Sequence, residues 1–537
     1  MRDFHLPGRS PVLSTTAMCA TSHPLASLAA IRLLEAGGNA VDAAIAAAVL
    51  LGICEPQMTG LGGDCFVLLK PPGGEEIVAL NGSGRAPKAL EGAALRARGW
   101  HAIPDNSVHS VTVPGAVDAF CRLSADWGRL GIAASLAPAI RAAREGVPVA
   151  PRTAFDWRRA ANRLQGAARR FYLADDAPLE TRDVFRHPRQ GEVLEKIARE
   201  GREGFYAGEV AEDMVASLRA LGGLHTLEDF AETRADYGVP ISGRYGDFEL
   251  VEHPPNGQGA TAILMAGILS HFDLAALPPF GAERAHLEAE AARLAYDARN
   301  RFLADPAVPG AQEALAHMLS DETAARLAAL IDPDRAMADP ASAADPVHAR
   351  FTSAPHKDTV CLSVVDGEGM AVSLIYSIYH PFGSGIASER YGILFQNRGA
   401  GFTLAPGHPN EAMGGKRPMH TIIPAMLRRD GKVIAAFGVM GGPYQPAGHV
   451  RFLTNIADYG MEPQEAIDGP RSFPDEGALQ LERGYRPEVH DALAAMGHRV
   501  TIPEAPLGGA QAVFIHHDRG VLEGASDPRK DGCALGF

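Results

Sequence analysis

The stretch that most constrains the fold runs from His356 to Gly385, HKDTVCLSVVDGEGMAVSLIYSIYHPFGSG. Two β-rich runs, carrying the branched residues Val364, Val365, Val372 and Ile375, flank a tight Gly367-Glu368-Gly369, which is the pattern of a hairpin. With Asp366 and Met370 closing the turn, Thr359 falls opposite Ser377 on the same face of the ribbon. Directly opposed side chains in an antiparallel pair come close enough for one hydroxyl to bond another.

A threonine at the start of a strand is first of all a good strand residue. It becomes a nucleophile if the chain is cut just before it. The freed α-amine, with a pKa near ~8, is then a general base beside the hydroxyl. The connector from Asp332 to Asp358 is rich in Pro and Ala and reads as an exposed, cuttable loop. The residues alone leave both readings open.

The chain has 537 residues, 46% of them hydrophobic, which is ample for a large buried core. Its 50 Lys and Arg against 64 Asp and Glu give a net charge of −14, and no basic stripe appears, so nucleic acid is not an expected partner. The N-terminal MRDFHLPGRSPVLS lacks the apolar core of a secretory signal. The apolar run Ala40–Ile53 is too short to span a bilayer, so no membrane segment is expected. Six cysteines without CxxC spacing read as buried thiols, not as disulfides or a zinc site, and cytoplasm is the expected compartment.

In chain order, Val12–Thr16 reads as a strand and Pro24–Glu35 as a helix stopped by Gly37-Gly38. Asn39 caps a second helix, AVDAAIAAAVLLGI, with Asp42 in its first turn; being apolar nearly all round, it should be buried. Thr59-Gly60-Leu61-Gly62-Gly63-Asp64 precedes a strand, whereas phosphate-binding loops precede helices, so close backbone packing is its expected role. Helices follow over Gly115–Asp126, Ser135–Glu145, Val210–Leu221, Thr261–Leu269 and Ala282–Asp305. After the hairpin, Thr421–Leu427 and Val433–Val439 read as core strands. Gln445–Tyr459 and Arg486–Met496 read as helices. No repeat and no freestanding domain boundary is visible. Cys361, two residues beyond Thr359 on its face, reads as core.

Five blocks now stand in order: GGNAVDAAIAAAVLLGICEPQMTGLGGDCFVLL, SVTVPGAVDAF, TVCLSVVDGEGMAVSLIYSIYHPFGSG, FGVMGGPYQPAGHV and GASDPRKDGCALGF. Together they resemble the γ-glutamyltranspeptidase family over essentially the whole chain. The resemblance implies an α+β fold, the four-layer αββα sandwich of the N-terminal-nucleophile hydrolases. It also implies a precursor that cuts itself into a large subunit, 1–358, and a small one, 359–537, which stay together as one interwoven unit. By the same resemblance Thr359 is the nucleophile, Ser377 takes the place of a second Thr that orients it, and Gly441-Gly442 form the oxyanion hole. On the residues alone, a plain turn is the preferred reading of Gly441-Gly442.

The acyl site departs from the family pattern. The position of the family's Arg falls at Ser83, with Arg85 two residues on, and the Ser-Ser pair becomes His420-Thr421. The Asn becomes Tyr379, the Gln or Glu becomes Arg398, and the Asp becomes Gly401. Val360-Cys361 replaces the more usual Thr-His. These changes remove acidic partners for an ammonium and add a guanidinium suited to a carboxylate. The expectation is therefore an amidase for an anionic acyl group without an α-amino group, oxamate-like or glutaryl-like, held by Arg85, Tyr379, Arg398, His420 and Thr421. Two alternatives stand beside it: a conventional γ-glutamyltransferase or glutathione hydrolase, and an unprocessed, inactive binding protein. No metal or other cofactor is called for. The expected partners are a small-molecule amide, the two subunits for each other, and further copies of the processed pair.

Overall fold

Alternation along the hairpin divides its residues between two apolar layers. Val360, Leu362 and Val364 join the core shared with the helices Pro24–Glu35, Ala40–Cys54 and Ile132–Glu145. Val365 and Cys361 pack instead among residues of a second sheet, Val365 near Met426 and Val513, Cys361 near Met440. This is the computed structural model of the chain; it describes residue 5, residues 8–337 and residues 359–537. The connector just before Thr359, Asp358 included, lies outside the described residues.

Two seven-stranded sheets stack face to face. The first runs, edge to edge, Cys533–Gly536, Met18–Thr21, Val360–Val365, Ala371–Ser377, Asp64–Lys70, Val78–Gly82 and Asp236–Gly238. The second runs Val12–Ser14, Val521–Ser526, Gly509–His516, Lys432–Met440, Pro424–Arg429, Phe248–Glu252 and Ile241–Tyr245. Every pairing in both is antiparallel. The helices Gly259–Leu269, Ala282–Phe302 and Gln445–Ala457 cover the outer face of the second sheet. Helix, sheet, sheet, helix is the αββα sandwich. Strands from before and after residue 358 interleave in both sheets, so neither part carries a core of its own.

The hairpin register is the one its turn dictates. Val360 faces Tyr376 and Cys361 faces Ile375. Asp366 builds the loop, its Oδ1 accepting the Glu368 and Met370 N–H groups at 3.0 Å each. Its Oδ2 accepts Ala40 N–H at 2.8 Å and so ties the turn to the buried helix. That helix spans Ala40–Cys54, buried at every position, with Asn39 and Asp42 forming a reciprocal capping box.

The glycine run Gly60–Gly63 packs backbone on backbone. A Cβ on Gly63 would come 2.6 Å from Ser377 O, and one on Gly62 would come 2.0 Å from Leu394 O. Several element ends shift by a few residues, two of them for reasons visible in the hydrogen bonding. The strand read from Thr421 begins at Pro424, because Thr421 O and Ile423 N bond to the side chains of Gln258 and Gln445, not to a neighbouring strand. The helix read to Asp305 ends at Phe302. Asp305 instead uses its carboxylate to accept Arg417 N–H at 2.8 Å.

Candidate active site

Thr359 and Ser377 meet across the open end of the hairpin. Both are buried, and Thr359 Oγ1 donates to Ser377 Oγ at 3.2 Å. Ser377 Oγ also accepts Tyr379 N–H at 2.9 Å. Tyr379 holds φ at +80°, a left-handed conformation that side-chain-bearing residues seldom adopt. The turn that aims Ser377 is thus made at some backbone strain. Cys361 is buried, with its thiol directed to Gly438 O at 3.3 Å. Burial raises its pKa well above the ordinary thiol range, so it is core.

Three residues beyond Gly438 the same strand gives way to Gly441-Gly442, where φ is +116° and +57°. A Cβ on Gly441 would lie 2.9 Å from Gly508 Cα. Left-handed backbone and that close approach together require glycine. Gln258, fully buried, fixes the turn: its Nε2 donates to Gly442 O at 2.9 Å and to Thr421 O at 2.7 Å. Its Oε1 accepts Arg299 Nη1 at 2.8 Å. Sequence reading missed Gln258. Its one signal is a polar residue flanked by Gly257 and Gly259 at the mouth of an apolar helix.

Arg398, Tyr379, Thr421 and His420 are brought together; Arg85 is not. Arg398 is 1% exposed; its Nη1 donates to Thr421 Oγ1 at 3.0 Å and its guanidinium carbon lies 4.6 Å from the Tyr379 ring centroid. Its Nε and Nη2 have no acceptor among the described residues. Burial lowers its pKa to about 10, with Asp64 pulling the other way, so it stays cationic at neutral pH. Asp64 Oδ1 accepts Gly84 N–H at 3.0 Å and Gly115 N–H at 3.1 Å, while Oδ2 has no hydrogen-bond donor among the described residues. Burial lifts Asp64 to about 6 against the pull of Arg398.

His420 Nε2 lies 3.6 Å from Asp64 Oδ2, beyond hydrogen-bond reach, and the ring stacks on Phe66. Burial, then the charges of Arg398 and Arg417, hold His420 well below its usual pKa, hence neutral. Arg85 is engaged elsewhere, its Nη1 3.4 Å from Asp305 and its Nη2 3.7 Å from Asp236. Ser83 spends its hydroxyl on Asn81 Oδ1 at 2.6 Å. Gly401 has no space for a larger residue, since a Cβ there would come 2.8 Å from Met419 O.

Two cavities adjoin here, sharing Asp105, His380 and Pro443. One, of about 210 Å³, is walled by Tyr379, Gly401, Thr421, Arg299 and Met419, with Arg398 directly behind Tyr379 and Thr421. The other, of about 260 Å³, reaches Gly441, Gly508, Arg163 and Lys530. A metal-type grouping, His286, Glu290 and His498, lies apart from both. Its members are already engaged: His286 Nδ1 bonds His498 Nε2 at 2.8 Å, His286 Nε2 bonds Asp332 O at 2.8 Å, and Glu290 accepts Met337 N–H at 2.8 Å. Spacing along the chain hides this group, because His498 is far from the other two. No helix among the described residues is long and apolar enough to cross a membrane.

Comparison with known proteins agrees with this architecture. The family model described as gamma-glutamyltranspeptidase matches residues 26–537. The oxamate amidohydrolase proenzyme of Klebsiella pneumoniae is 35% identical, over 98% of this chain and 99% of its own. The glutathione hydrolase-like YwrD proenzyme of Bacillus subtilis is 34% identical, over 98% of this chain and 99% of its own. A crystal structure of cephalosporin acylase from Bacillus halodurans superposes with a TM-score of 0.90 at 35% identity, covering 100% of this chain and 99% of that one. Sequence blocks, sandwich and relatives converge: the chain belongs to the γ-glutamyltranspeptidase family of self-processing N-terminal-nucleophile enzymes, nearer its acylase and oxamate branches than the transpeptidases that name it.

Proposed function

We propose that this enzyme cleaves itself between Asp358 and Thr359 and then hydrolyses amides whose acyl group is anionic and lacks an α-ammonium. The observation that carries the acyl preference is Arg398. Its Nε–H and Nη2–H form the edge of a guanidinium that grips a carboxylate by two parallel bonds, and both lack acceptors. A buried donor left unsatisfied costs about 1–3 kcal/mol. An anion reached past Tyr379 recovers that cost. Thr421 Oγ1 accepts from Arg398 and so has its own O–H to give to the same anion. The oxamate amidohydrolase among the relatives, whose named substrate is an anion without an α-ammonium, supports this class, while the glutathione hydrolase of Escherichia coli, 31% identical, stands on the side of the γ-glutamyl alternative.

In self-cleavage Thr359 Oγ adds to the Asp358 carbonyl carbon, the peptide C–N bond breaks with its nitrogen protonated, and water hydrolyses the ester. The same hydroxyl then attacks the substrate amide. Its proton passes to the freed α-amine and on to the departing nitrogen, and the oxyanion faces the Gly441-Gly442 turn. Water releases the acid from the acyl-enzyme.

A γ-glutamyl substrate has one feature in its favour, the unpartnered Asp64 Oδ2, which offers an ammonium an acceptor. The deciding measurement is kcat/KM for oxamate and glutaryl-p-nitroanilide against γ-glutamyl-p-nitroanilide. The proposal requires an anionic deamino substrate to win and Arg398→Gln to lower that preference by about tenfold or more, the worth of one charged hydrogen bond. A wild-type preference for the γ-glutamyl amide overturns it.

A further inference from the structure

His286, Glu290 and His498 meet at the seam between the parts of the chain that flank residue 358. His286 and Glu290 stand one turn apart on the helix Ala282–Phe302, where a spacing of four puts both on one face. His498 approaches from the other part, between the helix Pro487–Ala495 and the short strand Val500–Thr501. The first two are buried and His498 is partly exposed, and one donor atom from each lies within 4.8 Å of the others. Neither of the two cavities includes any of the three.

The surrounding hydrogen bonds turn the lone pairs of the group toward one another. His286 Nε2 faces Asp332 O at 2.8 Å. A carbonyl only accepts, so Nε2 carries the ring proton and Nδ1 a lone pair. That lone pair points at His498 Nε2, 2.8 Å away. Glu290 accepts Arg293 Nη1 at 3.0 Å on one oxygen and Met337 N–H at 2.8 Å on the other, and each oxygen keeps a further lone pair. An imidazole whose second nitrogen donates to a backbone carbonyl, beside a carboxylate itself held by donors, has the surroundings of a metal ligand. The rival account is a plain hydrogen bond from His498 Nε2–H to His286 Nδ1, which gives the neighbouring Glu290 carboxylate no part.

We propose that His286 Nδ1, His498 Nε2 and the Glu290 carboxylate bind a divalent transition-metal cation, with zinc the best match to two imidazoles and one carboxylate. On binding, the proton of His498 moves to its Nδ1 and Nε2 gives its lone pair to the ion. Bond lengths of about 2.0–2.1 Å set tetrahedral donors roughly 3.3–3.4 Å apart, so the two rings part by about half an ångström and the carboxylate closes in. Water takes the fourth position. The ligands come from both sides of residue 358. His286 and Glu290 also hold the segment 332–337, whose Ala336 N–H donates to Met496 O at 2.8 Å. The ion therefore staples the two parts together and fixes the segment docked between them. Where the chain is cut before Thr359 the staple joins two chains, but the binding itself needs no cut.

The test is calorimetric titration of the chelator-stripped, full-sequence protein with ZnCl2, beside the visible spectrum after loading with Co2+, whose bands report tetrahedral coordination. His498→Gln offers an amide N–H to His286 Nδ1 but no imidazole, so it keeps the hydrogen bond of the rival account and removes a ligand. Its Zn2+ affinity should fall by about 100-fold or more, beyond what loss of an outer partner costs. His498→Cys supplies a thiolate and should restore binding, with a sulfur-to-cobalt charge-transfer band in the near ultraviolet. Zn2+ should raise the Tm of the wild type and of His498→Cys and leave that of His498→Gln unmoved. The proposal is overturned if Zn2+ binds the wild type no more tightly than His498→Gln, or if the Co2+ spectra of those two proteins coincide, the mark of adventitious surface binding. Thr359→Ala, which blocks the proposed self-cleavage, should bind Zn2+ as the wild type does, so the metal site and the cut stand or fall separately.

Discussion

Thr359 Oγ1 lies 3.2 Å from Ser377 Oγ, and that second hydroxyl is itself aimed by the Tyr379 N–H at 2.9 Å. In the proposed mechanism Ser377 acts on the Thr359 nucleophile by position. Ser377→Ala should fold, since a buried hydroxyl is exchanged for a smaller apolar group, but Thr359 loses its fixed partner. A hydrogen bond worth about 0.5–1.5 kcal/mol corresponds to a loss of roughly 2- to 10-fold in kcat and in self-cleavage rate. Ser377→Thr, which keeps the hydroxyl, should retain most of both. Unchanged single-turnover rates in Ser377→Ala would remove Ser377 from the mechanism.

Thr359→Ala should leave one full-length band on a denaturing gel and no amidase activity. Thr359→Ser should still divide into two chains, because a hydroxyl is what the cleavage consumes. N-terminal sequencing of the wild-type small chain should read Thr-Val-Cys-Leu. A two-band pattern from Thr359→Ala would assign cleavage to another group.

The hairpin was legible because a period-two ribbon closed by a short turn leaves one register, and that register alone sets Thr359 against Ser377. Asn39, Asp42 and the glycine run were legible for similar local reasons. What carries no local signature stayed hidden. Gln258 fixes Gly442 from a distant part of the chain. Arg85 was misleading: two residues from the family's Arg position, it turns to Asp236 and Asp305. Thr421 and Ile423 have strand-like sequence, yet side chains of Gln258 and Gln445 take their backbone groups.

Reverting the acyl site toward the family pattern should work for two positions and fail for the third. Tyr379 sits at φ +80°, where Asn is far better tolerated, so Tyr379→Asn relieves backbone strain as it removes the ring from Arg398. Arg398→Gln with Tyr379→Asn should fold and move the kcat/KM ratio toward γ-glutamyl amides. Adding Gly401→Asp should cost folded yield and lower the urea midpoint, because its Cβ would meet Met419 O at 2.8 Å. A triple variant as stable as the double would show that the backbone at Met419 yields.

Glu55 should make stability fall as pH rises. Burial lifts its carboxyl from 4.5 to about 7, against the opposing charge of Lys530 and the Ser22 hydrogen bond. A raised pKa means the folded chain holds this proton more tightly than the unfolded one. The associated stability is fully present below pH 4.5 and is lost as pH passes about 7. The shift corresponds to about 3 kcal/mol between those limits. Glu55→Gln keeps a neutral group that still accepts from Ser22, so it should escape the loss. Compared by urea midpoint, variant and wild type should nearly coincide at pH 4.5, and the variant should pull ahead steadily toward pH 7.5. Because Gln57 O and Met58 O accept the Phe382 and Ile378 N–H groups, loosening here reaches the loop that carries Tyr379, and kcat should follow the same pH trend. A constant gap between the two proteins across that range would mean that Glu55 does not titrate there.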